Sequence, residues 1–198
     1  MDTTLFIKYL IIGYLFGSLP FGLILCRIFG YGNIRKIGSG NIGATNVLRT
    51  GNKILAFLTL VLDSTKGVIA VLLTLNFTND SIIAFWAGVF AIIGHNFPIW
   101  LKFKGGKGFA TTLGTILVAA PNVGLFMIVS WLLFFKFFKI SSLSALISLA
   151  LAPIFTYVLY GQHWILFPII TISIMGYLRH WQNIIRLLNK TEPKLKRK

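Results

Sequence analysis

Apolar stretches long enough to cross a hydrocarbon core recur from one end of the chain to the other, and only short polar runs separate them. A chain patterned this way belongs in a membrane. Its composition agrees, because 56% of the 198 residues are hydrophobic, 12% are charged and the mean hydropathy is +0.82. Those values exclude an ordinary soluble domain. The apolar stretches leave no room for a separate soluble domain, so one integral-membrane domain over 1–198 is expected. Residues 4–29 are too long for a signal peptide and lack the small-residue cleavage pattern, which makes them an expected first span. The lone Cys26 rules out an intramolecular disulfide or a cysteine-built metal site.

Spans are expected at about 4–29, 54–76 and 82–97. The first contains Gly13-xxx-Gly17 and Ser18-xxx-Gly22, small residues at helical spacing that let another helix pack close, and Pro20 should kink it. Lys and Arg number 19 against 4 Asp and Glu, a formal charge of +15. The cations are split among short loops, which favours positive-inside bias over nucleic-acid binding. Residues 109–180 must begin and end inside, and either two or four spans would achieve that. Four spans, turning at Pro121-Asn122, Lys136 to Ser142 and Gly161-Gln162, keep Lys136 and Lys139 inside. One consequence is a segment at 109–120 that is shorter than the roughly 20 residues of a normal crossing. The expected fold is an all-α polytopic membrane protein with seven transmembrane helices, some short or broken, the N-terminus outside and the C-terminus cytoplasmic. The basic tail Lys194 to Lys198 should lie near anionic headgroups.

Three polar elements fall on the cytoplasmic side in this topology and can form one site. The run Gly38-Ser39-Gly40-Asn41-Ile42-Gly43-Ala44-Thr45-Asn46-Val47-Leu48-Arg49 reads as an anion cradle. Glycines at 38, 40 and 43 permit positive φ and close approach, Ser39, Asn41, Thr45 and Asn46 add neutral donors, and Arg49 adds a planar fork. A flexible turn-rich loop is the alternative reading. Lys104-Gly105-Gly106-Lys107-Gly108 supplies two ammonium groups beside flexible backbone and lacks the Walker spacing. His180 and Asn183, at i and i+3, share one helical turn. His95 reads equally as a satisfied helix-end histidine or a substrate contact. Asp63 and Lys66 read as a structural intramembrane pair, and Glu192 as a tie between the tail and a basic loop.

Scarce carboxylates argue against carboxylate-held metals and paired-carboxylate chemistry. No Gly-x-Ser-x-Gly elbow occurs, and no histidine is followed five positions later by aspartate. Acyl transfer on such a chain would therefore need an already activated donor, with the protein positioning it and neutralising charge. A transporter reading competes but expects midplane sites between repeated halves, and no repeat is visible. A non-catalytic scaffold would leave the phosphate-suited motifs unexplained.

The chain resembles the bacterial integral-membrane glycerol-3-phosphate acyltransferases that use acyl phosphate, over almost its whole length. Gly38 to Arg49 is similar to the family's first motif. Gly94-His95-Asn96-Phe97-Pro98 with Phe103 to Gly108 resembles the second, and Arg179-His180-Trp181-Gln182-Asn183-Ile184 with Arg186 and Glu192 resembles the third. The resemblance implies a seven-span enzyme making lysophosphatidic acid and phosphate from acyl phosphate and sn-glycerol 3-phosphate. It needs no metal or coenzyme, and a phosphate of the bound substrates would accept the hydroxyl proton. Ser39, Arg49, Lys107, His180 and Asn183 would be catalytic. Gly38, Gly40, Asn41, Gly43, Thr45, Asn46, His95, Lys104, Gly105, Gly106 and Gly108 would bind substrate. Asp63, Lys66 and Glu192 would be structural. Membrane lipid and the upstream acyl-phosphate-forming enzyme are the partners implied, at the cytoplasmic face of the inner membrane.

Overall fold

The computed structural model describes residues 3–195. Lys196, Arg197 and Lys198 of the expected headgroup-facing tail lie outside the described residues. The helices are α1 Thr3–Gly17, α2 Phe21–Ile28, α3 Ala44–Val47, α4 Lys53–Thr78, α5 Ser81–Asn96, α6 Phe109–Ala119, α7 Pro121–Phe138, α8 Ser141–Tyr160, α9 Leu166–Arg179 and α10 Trp181–Leu188. They gather into two compact units that divide between Ala119 and Ala120.

Among the described residues, five apolar segments are long enough to cross a membrane: 3–28, 53–78, 81–101, 121–138 and 141–160. Two more, Phe109–Ala119 and Leu166–Arg179, are apolar but shorter. The protein is membrane-embedded, and its surface shows why. Ile11, Phe57, Leu132 and Val158 stand exposed along these helices, whereas Thr59, Thr74, Thr115, Ser148 and Thr156 are buried. Water would favour the reverse arrangement. In lipid there is nothing to gain from hiding the large apolar side chains, and small polar residues can serve as packing contacts and interhelical hydrogen-bond donors.

In the first unit, the chain breaks at residues 18–20 between α1 and α2. Pro20 lacks an N–H and pushes Leu19 out of helical geometry, so the expected kink becomes an interruption. Gly13 and Gly17 lie against the backbone of Ala87 and Ala91 on α5, and Gly22 lies against the Ile42 carbonyl and Thr59. Gly13 and Gly17 therefore do the packing their spacing suggests, whereas Ser18 and Gly22 fall on either side of the break and Gly22 meets the loop at Ile42 as well as α4. A side chain at Gly17 would run into the Ala91 backbone, so Gly17→Val is expected to destabilise the unit by about 1–3 kcal/mol or more. The fall in unfolding temperature of the detergent-solubilised variant measures it. Asn52 caps α4 by accepting from Leu55 N at 2.9 Å, and Asp80 caps α5 by accepting from Ile82 N and Ile83 N at 2.8 and 3.1 Å. Asn79 ends α4 in the left-handed region at φ 51°, so only Asn79 and Asp80 are needed for the turn.

In the second unit, the helices are joined by side-chain hydrogen bonds to backbone oxygens. Ser148 Oγ donates to the Met127 carbonyl at 2.9 Å, Ser173 Oγ to Leu149 at 2.8 Å and Tyr177 Oη to Leu146 at 3.0 Å. Pro121 begins α7 at a position where no intrahelical N–H is required.

Candidate active site

The glycine-rich run of the first unit is a loop folded around one buried amide. Asn46, 1% exposed, donates from Nδ2 to the carbonyls of Ile34, Ile37 and Asn41 at 3.1, 2.9 and 2.8 Å. Its Oδ1 accepts from Ser39 N at 2.9 Å and from Ser39 Oγ at 3.2 Å. Asn46 therefore pins the loop and does not present its amide to a ligand, which corrects the expectation that it is one of the cradle's donors. Gly38 and Gly40 adopt φ of 55° and 70°, conformations that an L side chain would strain, and they turn Ser39 outward to an exposed position. Gly43 is different: at φ −83° it is extended and precedes α3, so positive φ is not its reason. Asn41 and Thr45 are half-buried on the same loop.

Arg49 follows α3 in a 3-10 turn, Leu48–Thr50, and its guanidinium lies over Gly38, where a Cβ would meet Cδ and Nη1. Nη1 reaches Asn46 Oδ1 only at 3.5 Å, so the fork is held loosely by the protein. Arg35 Nη2 donates to the Lys104 carbonyl at 2.9 Å and fastens this loop to the lysine-glycine loop. Nothing local distinguished Arg35 from Lys36, because its partner is 69 residues away.

The lysine-glycine loop folds back on the end of α5. Gly105 N donates to the Asn96 carbonyl at 3.2 Å and Gly106 N to the His95 carbonyl at 3.0 Å, which satisfies carbonyls that the helix terminus leaves open. Gly105 packs against the His95 carbonyl and Pro98, Gly106 against the His95 ring, and Gly108, at φ 79°, against the Asn96 side chain. These glycines are therefore needed for close approach to α5, and the N–H groups of 105 and 106 are directed at its carbonyls. The Asn96 amide, fully buried, has neither polar atom paired. Lys104 is exposed, and Lys107 is half-buried two residues before α6.

Asp63 and Lys66 form the expected pair on α4, with Nζ to Oδ1 at 2.9 Å. The pair does not stand alone. Lys66 Nζ also bonds His95 Nδ1 at 2.8 Å and the Leu19 carbonyl at 2.9 Å, and it lies over the Phe21 ring. His95 is thus tied to a buried charge at one nitrogen while its Nε2 faces Gly106.

In the second unit, His180 and Asn183 occupy the junction of α9 and α10 and are 3% and 2% exposed. His180 Nδ1 lies 2.7 Å from the Gly176 carbonyl. A carbonyl can only accept, so Nδ1 carries a proton and the neutral ring has its acceptor at Nε2. Asn183 Nδ2 donates to Glu192 Oε1 at 2.5 Å, and its buried Oδ1 has no partner. Glu192 also accepts from Ser142 Oγ and Arg186 Nε, each at 2.6 Å. It therefore ties the tail to α10 and to Ser142, which closes the turn that carries Lys136 and Lys139. Ser142 was not singled out from sequence, since one serine among many carries no local signal.

Burial pushes the Glu192 carboxyl up, but the hydrogen bonds from Ser142, Arg186 and Asn183 and the Arg186 charge outweigh it and hold the group below the ordinary carboxylate range. A depressed carboxyl stabilises the folded tail fully above the unfolded group's pKa, and that contribution fades as pH falls through the folded value. The protection factors of the amides of residues 187–195, which divide out the intrinsic pH dependence of exchange, should accordingly fall at acid pH in the native protein. In Glu192→Gln they should already be low at neutral pH and change little on acidification.

Apolar helices with glycine-lined, cation-bearing loops at their ends define an integral membrane protein equipped for phosphorylated ligands. The sequence model for Glycerol-3-phosphate acyltransferase matches residues 7–190. Glycerol-3-phosphate acyltransferase of Paramagnetospirillum magneticum is 54% identical over 183 residues, covering 92% of this chain and 90% of its own. That of Rhodospirillum rubrum is 51% identical over 191 residues, covering 92% and 88%. The crystal structure of PlsY (YgiH), an integral membrane glycerol 3-phosphate acyltransferase, in its glycerol 3-phosphate form matches with a TM-score of 0.90 at 35% identity, covering 96% of each chain. Its lysophosphatidic acid form matches at 0.88 and 34%, covering 96% of this chain and 95% of that one. The chain belongs to the PlsY family of integral membrane glycerol-3-phosphate acyltransferases, enzymes of phospholipid biosynthesis.

Proposed function

We propose that this acyltransferase moves an acyl chain from acyl phosphate to the 1-hydroxyl of sn-glycerol 3-phosphate. The hydroxyl oxygen attacks the acyl carbon, the bond from that carbon to the phosphate oxygen breaks, and the hydroxyl proton leaves on the released phosphate. Lysophosphatidic acid and inorganic phosphate are the products. The observation that carries this is the Arg35 to Lys104 bond, which brings two phosphate-suited loops together on one unit. Ser39, Asn41, Gly38 and Gly40 with Arg49 suit the phosphate of the donor, while Lys104 and Lys107 suit that of glycerol 3-phosphate. His180 and Asn183, at the junction of α9 and α10 in the second unit, are assigned a catalytic part on the family resemblance. Purified protein incubated with acyl phosphate and labelled glycerol 3-phosphate should yield labelled lysophosphatidic acid. No product under conditions where the protein is folded would reject the reading. The glycerol 3-phosphate form and the lysophosphatidic acid form of PlsY (YgiH) support the reading.

The proposal includes seven spans, the N-terminus outside and the loops at the cytoplasmic face of the bacterial inner membrane. An enzyme that makes acyl phosphate would be its upstream neighbour. Leu195 N donates to the Lys139 carbonyl at 2.9 Å and Glu192 bonds Ser142, so residues 192–195 lie beside the turn between α7 and α8. Lys136, Lys139 and Lys194 thus share one end of that unit, as the positive-inside rule favours. Cysteine placed at 136 or 139 should resist a membrane-impermeant label in intact cells and react after the membrane is opened. Labelling from outside would overturn the topology.

A further inference from the structure

The buried ion pair of α4 reaches the loop assigned to glycerol 3-phosphate. Lys66 Nζ meets Asp63 Oδ1 at 2.9 Å, the Leu19 carbonyl at 2.9 Å and His95 Nδ1 at 2.8 Å. An ammonium carries only donors, so the Leu19 carbonyl and the His95 nitrogen that bond it must accept, while Asp63 Oδ1 meets it as an ion pair. Nδ1 of His95 is therefore the accepting nitrogen, and the ring proton sits on Nε2, the atom facing Gly106. The other arrangement, a protonated His95 paired with Asp63, would span 3.6 Å and would set two N–H donors against each other across the 2.8 Å contact. All three side chains are at most 5% exposed, so water does not loosen the arrangement. Packing alone does not call for it, because an apolar pair of similar volume is often as stable as a buried ion pair.

We propose that Asp63 and Lys66 are positioning residues for the acceptor substrate. They hold His95 as the Nε2–H tautomer, and His95 in turn sets Gly106 and the lysines on either side of it. This rests on the reading of the 104–108 loop as the glycerol 3-phosphate site. The Leu19 carbonyl lies at the break before α2, so one ammonium also joins the first helical segment to α4 and α5.

The test uses the full-length enzyme in detergent micelles and two variants. Asp63→Asn combined with Lys66→Met removes both charges together, so no buried charge is left unpaired. His95→Asn keeps an oxygen near the Nδ1 position to accept from Lys66 but has no atom at Nε2. Each variant should raise KM for glycerol 3-phosphate about tenfold or more, the loss of a hydrogen bond involving a charged group. KM for acyl phosphate should stay within about twofold of the native value. Folded variants with an unchanged KM for glycerol 3-phosphate would overturn the proposal, as would a fall in active fraction with both KM values intact, the pattern of a merely structural pair. Should the double variant not fold, His95→Asn decides the question by the same readout. Lys104→Gln and Lys107→Gln run in parallel separate the two readings. If they leave KM for glycerol 3-phosphate unchanged, the loop is not the acceptor site and both readings fall. If they raise it while the positioning variants do not, this proposal alone falls.

Discussion

Arg49→Lys is expected to lower kcat/KM by about a hundredfold or more while leaving a folded protein, a loss on the scale seen when a group that stabilises developing charge is removed. The guanidinium lies over Gly38 beside the outward-turned Ser39, and its bond to Asn46 is long at 3.5 Å. Little of its hydrogen-bonding capacity is therefore bound up in the loop, and a planar fork there can meet two phosphate oxygens at once. Lysine keeps the charge but offers a single hydrated point, so it restores attraction without geometry. Arg49→Ala should lose more activity than Arg49→Lys. Neither should unfold the loop, because Asn46 keeps its bonds to Ile34, Ile37, Asn41 and Ser39. Unfolding temperature and gel-filtration profile check the fold, and initial rates with saturating acyl phosphate check the activity. Near-native turnover in Arg49→Lys would remove the bidentate role.

What the sequence disclosed and what it withheld divide along the range of the interactions involved. The expected spans at 54–76 and 82–97 correspond to α4 and α5, because run length, the Asn79-Asp80 turn and the cap at Asn52 are all local signals. The short segment foreseen at 109–120 is α6, 11 residues long. The turn expected at Gly161-Gln162 begins at Gly161, with φ 64°, but runs on through Ile165, which leaves α9 only 14 residues. In the site, the glycine motifs marked the right loops but not the direction of their polar groups. Asn46 looks like Asn41 in the sequence, yet only Asn46 is within reach of three carbonyls at once. The link from Lys66 to His95 spans 29 residues, and that from Ser142 to Glu192 spans 50. Pairings at that range depend on how helices pack, which no local periodicity encodes.

The largest expected difference between donors follows from the leaving group. An acyl phosphate is a mixed anhydride, and its phosphate departs with charge that the loop around Ser39, Asn41 and Arg49 is suited to stabilise. An acyl thioester brings no small phosphate to the reacting carbon, so that stabilisation is lost, and the histidines lack an aspartate five positions later. Acyl-CoA is accordingly expected to support turnover at least about a thousandfold more slowly than acyl phosphate, the scale of an electrostatic site that the donor leaves unfilled. The acyl group should pass directly to the glycerol hydroxyl. Cys26 is buried among Leu23, Ile34 and Val47 in the packed interior of the first unit, which leaves it no route to a substrate. Ser39 donates to Asn46 Oδ1, and among the described residues no basic side chain bonds its hydroxyl to activate it as a nucleophile. Cys26→Ala should therefore stay active, and Ser39→Ala should slow turnover by removing a hydroxyl that can turn from its long bond to Asn46 and donate to phosphate. Mass spectrometry of enzyme quenched during turnover should show unmodified protein. An acyl group on Ser39 or Cys26, or robust turnover with acyl-CoA alone, would show that a covalent route operates or that the phosphate of the donor is not what this loop is built to hold.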